Sequence, residues 1–138
     1  MPLIPPSLLD SDTVSLIMRK NPIVIARAQA YLQQHKKLTF SIITRYEILR
    51  GLKCLGATRK LDEFEEFCRQ NIILPLTDAI IVRAAEIYAD LYRRGQLISD
   101  ADILIAATAI EHNLALVTNN LTHFQRILNL QVTSWASL

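Results

Sequence analysis

The feature that most limits the folds open to this chain is an alternation. Short apolar runs occur at "SLLD" (7–10), "KLTFS" (37–41), "IILPL" (72–76), "LALVT" (114–118) and "LQVTSW" (130–135). Between them lie longer stretches with apolar residues at helical spacing. Strands that alternate with helices must be joined by right-handed crossovers. The expected fold is therefore α/β, with a mostly parallel central sheet of four to five strands and helices on both faces.

The helices carry their own start and stop signals. "TVSLIMRK" has Ser11 or Asp12 as its cap, and "PIVIARAQAYLQQHKK" ends in bases, as a helix C-terminus prefers. "ITRYEILRGLKCL" starts at Ser41 or Thr44 and closes near Gly56, and "TRKLDEFEEFCRQN" presents an acidic, solvated face. "AIIVRAAEIYADLYRR" starts at Thr77 or Asp78 and ends at Gly95; "ADILIAATAIEH" starts at Ser99 or Asp100 and stops at Asn113. "NNLTHFQRI" holds a loop and a short helix. No repeat, low-complexity segment or linker interrupts the pattern, so one domain is expected over residues 1–138.

Open parallel sheets place their sites outside the carboxyl ends of the strands. Asp10 stands at the end of the first strand, and Thr118, Asn119 and Asn120 follow "LALV". Glu47 comes in the first turns after "KLTFS", and Asp102 in the first turn of "ADILIAA". Four segments distant in sequence thus deliver oxygen ligands to one edge. Crowded carboxylates repel unless a cation balances them, and all-oxygen ligation suits Mg²⁺ or Mn²⁺. Glu47 adjoins the apolar stripe of Ile43, Ile48 and Leu52, where an acid needs a partner; Arg50 or Lys53 would be a purely local one. Asp12, beside Asp10, is a water-mediated ligand or a cap; Asp100 reads first as a cap. Thr118 and Asn119 would orient a ligand or make the turn.

Bulk properties agree with such a site. The formal charge is only +2, but removing Asp10, Asp12, Glu47, Asp100 and Asp102 to one pocket leaves eight acids against 15 bases. An acidic pocket on a basic body suits a metal-dependent enzyme acting on a polyanion. Arg19, Arg45, Arg50 and Lys53 are the candidate phosphate contacts. Cys54 and Cys68 are expected to be buried reduced thiols, and His35, His112 and His123 have no zinc-ligand spacing. The opening "MPLIPPSLL" has no basic start and its prolines oppose a signal helix, so a cytoplasmic protein with no membrane association is expected.

Two families share the opening motif. D-x-D-x-V after an apolar strand resembles the nucleophile motif of haloacid dehalogenase-like phosphatases, in which Asp10 would attack phosphorus. The order of the other motifs opposes that reading: "SDADI" precedes "LVTN", and no Lys follows Lys60. The whole chain instead resembles the PIN-domain ribonucleases, specifically VapC-type toxins of type II toxin–antitoxin pairs. The resemblance runs through "LLDSDTVSLIMRKNP", "SIITRYEILRGL", "RRGQLISDADILIAATAIEHNLALVTNNLTHFQRILNLQV" and the closing "SW". It implies a PIN-like fold in which Asp10, Glu47 and Asp102 bind Mg²⁺ or Mn²⁺ and RNA is hydrolysed by metal-activated water. It also implies a homodimer restrained by a cognate antitoxin protein; "IVIARAQAYL" and "FEEFC" are equally contact stretches for such partners or parts of the core. Where the family often has a fourth acid, this chain offers Asn119, Asn120 and His123, with Asp12 or Asp100 as substitutes. A non-catalytic PIN-like module binding RNA or protein is the remaining alternative.

Overall fold

The computed structural model describes residues 2–136. In chain order the elements are β1 (Ser7–Leu9), α1 (Ser11–Met18), α2 (Pro22–His35), β2 (Thr39–Ser41), α3 (Ile42–Cys54) and α4 (Thr58–Gln70). There follow β3 (Ile72–Leu74), α5 (Asp78–Arg93), α6 (Asp100–Glu111), β4 (Ala115–Val117), α7 (Leu121–Phe124) and β5 (Val132–Thr133). Among the described residues the strands form one sheet in the order β3-β2-β1-β4-β5, and every pairing is parallel. The fold expected from the alternation is the fold observed.

The central strands read as continuous apolar runs because both faces are covered. Side chains alternate across them: Leu8 and Leu116 pack with α5 and α6 through Ile80, Leu91, Ile103 and Ala107. Leu9 and Val117 face the other way, onto Val14 and Ile17 of α1, Val24 and Tyr31 of α2, and Phe64 of α4. Helix α3 straddles the two layers, with Ile43 against the first and Ile48, Leu49 and Leu52 against the second. No helix of the described residues is long and apolar enough to cross a membrane.

Most caps are the expected ones: Ser41, Thr77 and Ser99 accept from backbone N–H groups of α3, α5 and α6. Gly56 (φ 61°), Gly95 (φ 66°) and Asn113 (φ 55°) take the left-handed turns that stop α3, α5 and α6. Helix α1 departs from expectation. Neither Ser11 nor Asp12 caps it; Asp10 does, accepting from the Thr13 N–H at 2.9 Å. The strand ends at Leu9 and the helix begins at Ser11, so Asp10 is the only extended residue between them (φ −79°, ψ 176°).

Cys54 also departs from expectation. Cys68 is buried, one turn from Phe64, but Cys54 is exposed at the end of α3, two residues beyond Leu52 and so turned away from its packed face. Both stretches left between partner contact and core supply core residues: Val24, Ala28 and Tyr31 of α2, and Phe64 and Cys68 of α4, are buried.

The closing "SW" is a lock on the chain. Trp135 is 4% exposed, and its ring lies 5.7 Å from that of Tyr31, whose hydroxyl accepts from the Ser7 N–H at the start of β1. Trp135→Ala is expected to cost about 3–5 kcal/mol in urea unfolding followed by circular dichroism. A loss below about 1 kcal/mol would show that the ring is not part of the core.

Candidate active site

The sheet order changes direction at β1: β2 and β3 lie on one side, β4 and β5 on the other. The crevice outside the carboxyl ends of β1 and β4 is where open α/β sheets take ligands. Asp10 and Thr118 sit there, each extending its strand by one residue. The Asp10 N–H donates to the Val117 carbonyl, and the Thr118 N–H to that of Thr133.

Asp10 is 4% exposed, and burial pushes its carboxyl up from an ordinary 3.8 to about 6. Hydrogen bonds from the Thr118 hydroxyl and the Thr13 backbone oppose the rise, while the charge of Asp12 adds to it. Asp102, in the first turn of α6, is also pushed up, first by burial. A Ser99 hydrogen bond and His123 pull it down, whereas Glu47 and Asp12 raise it further. Asp10, Asp12, Glu47, Asp102 and His123 are therefore linked electrostatically, although they come from α1, α3, α6, α7 and the end of β1.

Glu47 does have a partner, and it is not only a local one. The Ser11 hydroxyl reaches Glu47 Oε1 at 2.6 Å, while Arg50 Nη2 lies 3.7 Å from Oε2. A serine one residue beyond Asp10 gives no sign of this role in the sequence, where it reads as a helix start. The only hint is the i,i+3 spacing of Thr44 and Glu47, which puts them on one face of α3.

The other candidates fall in different places. Thr118 is buried, with its hydroxyl bonded to Asp10 and accepting from the Asn120 N–H, so it serves both the site and the turn. The Asn120 side-chain amide lies 2.7 Å from His123 Nδ1. Asn119 is exposed and accepts from the Ser134 hydroxyl. Asp100 is exposed at the first position of α6; Ser99, not Asp100, is the cap.

A cleft of about 730 Å³ opens from Ser11, Asp12 and Glu47 toward Met18, Leu52 and Leu55. Arg19 and Arg50 border it, as does the pair Lys20 and Lys60, which the sequence alone does not single out. Arg45 is engaged elsewhere: its guanidinium forms a two-pronged pair with Glu65, at 2.6 and 3.2 Å, tying α3 to α4. Of the four expected phosphate contacts, Lys53 also lies outside the cleft lining.

Comparison with known proteins gives this arrangement a family. The PIN-domain family pattern matches residues 8–128. Ribonuclease VapC2 of Haemophilus influenzae is 31% identical over 93% of this chain and 96% of its own length. The chain is a PIN-domain protein of the VapC ribonuclease family. Ribonuclease VapC1 of Methanocaldococcus jannaschii is 40% identical over a shorter match, 63% of this chain and 62% of that protein. Among solved structures, the DNA-bound VapBC complex of Salmonella typhimurium superposes with a TM-score of 0.85 at 27% identity, covering 96% of this chain and 99% of that one. The phosphatase suggested by D-x-D-x-V is set aside, because a PIN domain accounts for the whole ordered set of motifs.

Proposed function

We propose that this PIN domain, spanning residues 1–138, hydrolyses RNA phosphodiesters at the site formed by Asp10, Glu47 and Asp102. Its role would be that of the toxin in a toxin–antitoxin pair. What supports the reading is the electrostatic coupling of carboxylates from separate elements, Asp102 with Glu47 and Asp12, and Asp12 with Asp10, beside the carboxyl edge of a parallel sheet.

Nucleases of this family generally depend on a divalent cation. The residues present fit one by donor chemistry: they are carboxylates and hydroxyls, the hard oxygen ligands that Mg²⁺ and Mn²⁺ take. Among the described residues no three His, Cys, Asp or Glu side chains already close around a common point. Asp10, Glu47 and Asp102 would hold the ion, and Asp12 would support it. Once bound, it would lower the pKa of a water and offset charge on the phosphodiester. Thr118 keeps the Asp10 carboxylate oriented, and Arg19, Lys20, Arg50 and Lys60 give the polyanion a basic border beside the acids. The neighbouring structures are toxin–antitoxin complexes, and we extend that partnership to this chain, together with homodimer formation and a cytoplasmic setting.

Expression of the wild-type chain is expected to arrest growth and leave RNA fragments with a defined cleavage end, and Asp10→Ala to do neither. Purified wild-type protein should cleave RNA on addition of Mg²⁺ or Mn²⁺. Equal cleavage by Asp10→Ala would overturn the assignment of the site, and RNA binding that neither ion converts to cleavage would make the chain a binding module.

A further inference from the structure

Ser11, which is not among the expected ligands, is the group most tightly attached to Glu47. Its Oγ lies 2.6 Å from Glu47 Oε1 and 3.0 Å from Thr44 Oγ1. A carboxylate oxygen only accepts, so the single hydroxyl proton of Ser11 goes to Glu47, and Thr44 must donate to Ser11. Thr44 is 0% exposed and is the one fully buried residue of α3, a position where an apolar side chain would be the ordinary choice. A buried hydroxyl is costly unless bonded, and the bond available to it is the one to Ser11. The two hydroxyls thus form a short relay from the core to the carboxylate.

The two oxygens of Glu47 are held differently. Oε1 receives a short, charge-assisted hydrogen bond anchored through a buried group. Oε2 has only a 3.7 Å ion pair to Arg50, whose side chain is 57% exposed, and such pairs are weak. We propose that Ser11, backed by Thr44, is a positioning residue: it fixes Glu47 through Oε1 and leaves Oε2 to exchange Arg50 for the divalent cation. The proposal rests on the role of Glu47 given above. Ser11 acts through Glu47.

The test is Mn²⁺ affinity, measured by electron paramagnetic resonance on the full chain and independent of RNA cleavage. Groups that orient a metal ligand are commonly worth ten- to a hundredfold, so Ser11→Ala is expected to weaken Mn²⁺ binding by about tenfold. Ser11→Thr, which keeps the hydroxyl, should bind within about twofold of wild type. Because Ser11→Ala also strips the buried Thr44 hydroxyl of its bond, the Ala variant should lose stability and melt several degrees below wild type, so binding is measured well below its melting transition. In cleavage assays kcat should fall while KM for RNA stays unchanged.

A double-variant cycle separates the two readings. Glu47→Ala should weaken Mn²⁺ binding, and adding Ser11→Ala to it should change nothing more. If Glu47→Ala weakens binding but Ser11→Ala does not, or if the two losses add, the positioning role of Ser11 is overturned alone. If Glu47→Ala itself binds Mn²⁺ like wild type, the role of Glu47 falls and takes the proposal with it.

Discussion

Asp10→Asn is expected to melt roughly 10 °C above the wild-type chain at pH 7 while losing RNA cleavage by about a hundredfold or more. The gain follows from burial. Asp10 titrates at about 6 in the folded chain against an ordinary 3.8. The folded state therefore holds this proton more tightly than the unfolded state, and the group's contribution to stability is fully present below pH 3.8. It is lost as pH rises through 6, and the gap corresponds to about 3 kcal/mol at neutral pH. Asparagine removes the buried charge yet still accepts from the Thr13 N–H, since Asn caps helices about as well as Asp. Urea unfolding from pH 3.5 to 7.5 checks the sign: the variant's advantage should be small at pH 3.5, grow between 4 and 6, and level off above. An advantage independent of pH would mean that the ionised carboxyl is not its source. Mn²⁺ should stabilise the wild type and leave Asp10→Asn unaffected.

The second large effect separates two acids two residues apart in the first turn of α6. At an Mn²⁺ concentration a hundredfold above the dissociation constant, the wild-type chain should gain about 2.7 kcal/mol in stability. Asp102→Asn is expected to lose that response and to cut RNA cleavage by about a hundredfold or more, whereas Asp100→Asn keeps both. Asp102 is buried enough to be pushed up and lies in the field of Glu47, Asp12 and His123; Asp100 is exposed at the start of α6. Thermal melts with and without the ion, beside one cleavage assay, decide it. If Asp100→Asn loses the response and Asp102→Asn retains it, the roles of the two acids are reversed.

Much of the proposed site was legible because it depends on the ends of elements. An acid directly after "SLL" must stand at the carboxyl edge of a parallel strand, and an acid in the first turn of a helix that starts near that edge lies close to it. Asp10 and Asp102 needed no more than this. Asp12 and Asp100 defied such reasoning, because spacing places a carboxylate on an edge without fixing which way it turns. The cap of α1 went to Asp10 because strand and helix adjoin with no spare residue, a detail finer than pattern resolves. Arg45 looked available to phosphate until α4 brought Glu65 across to it, 20 residues away.

The sequence by itself determined the alternation of strands and helices, hence a parallel sheet with two covered faces, and the edge at which the proposed site lies. Hydrophobic period and cap chemistry are local, so they can be read along the chain. Only the tertiary structure decided how strongly those acids are buried, that Thr118 holds Asp10, and that Ser11 reaches across from α1 to join Thr44 and Glu47 on α3. Those outcomes depend on distances between segments more than 30 residues apart, and on how much water the packing excludes. Neither is encoded in any one stretch.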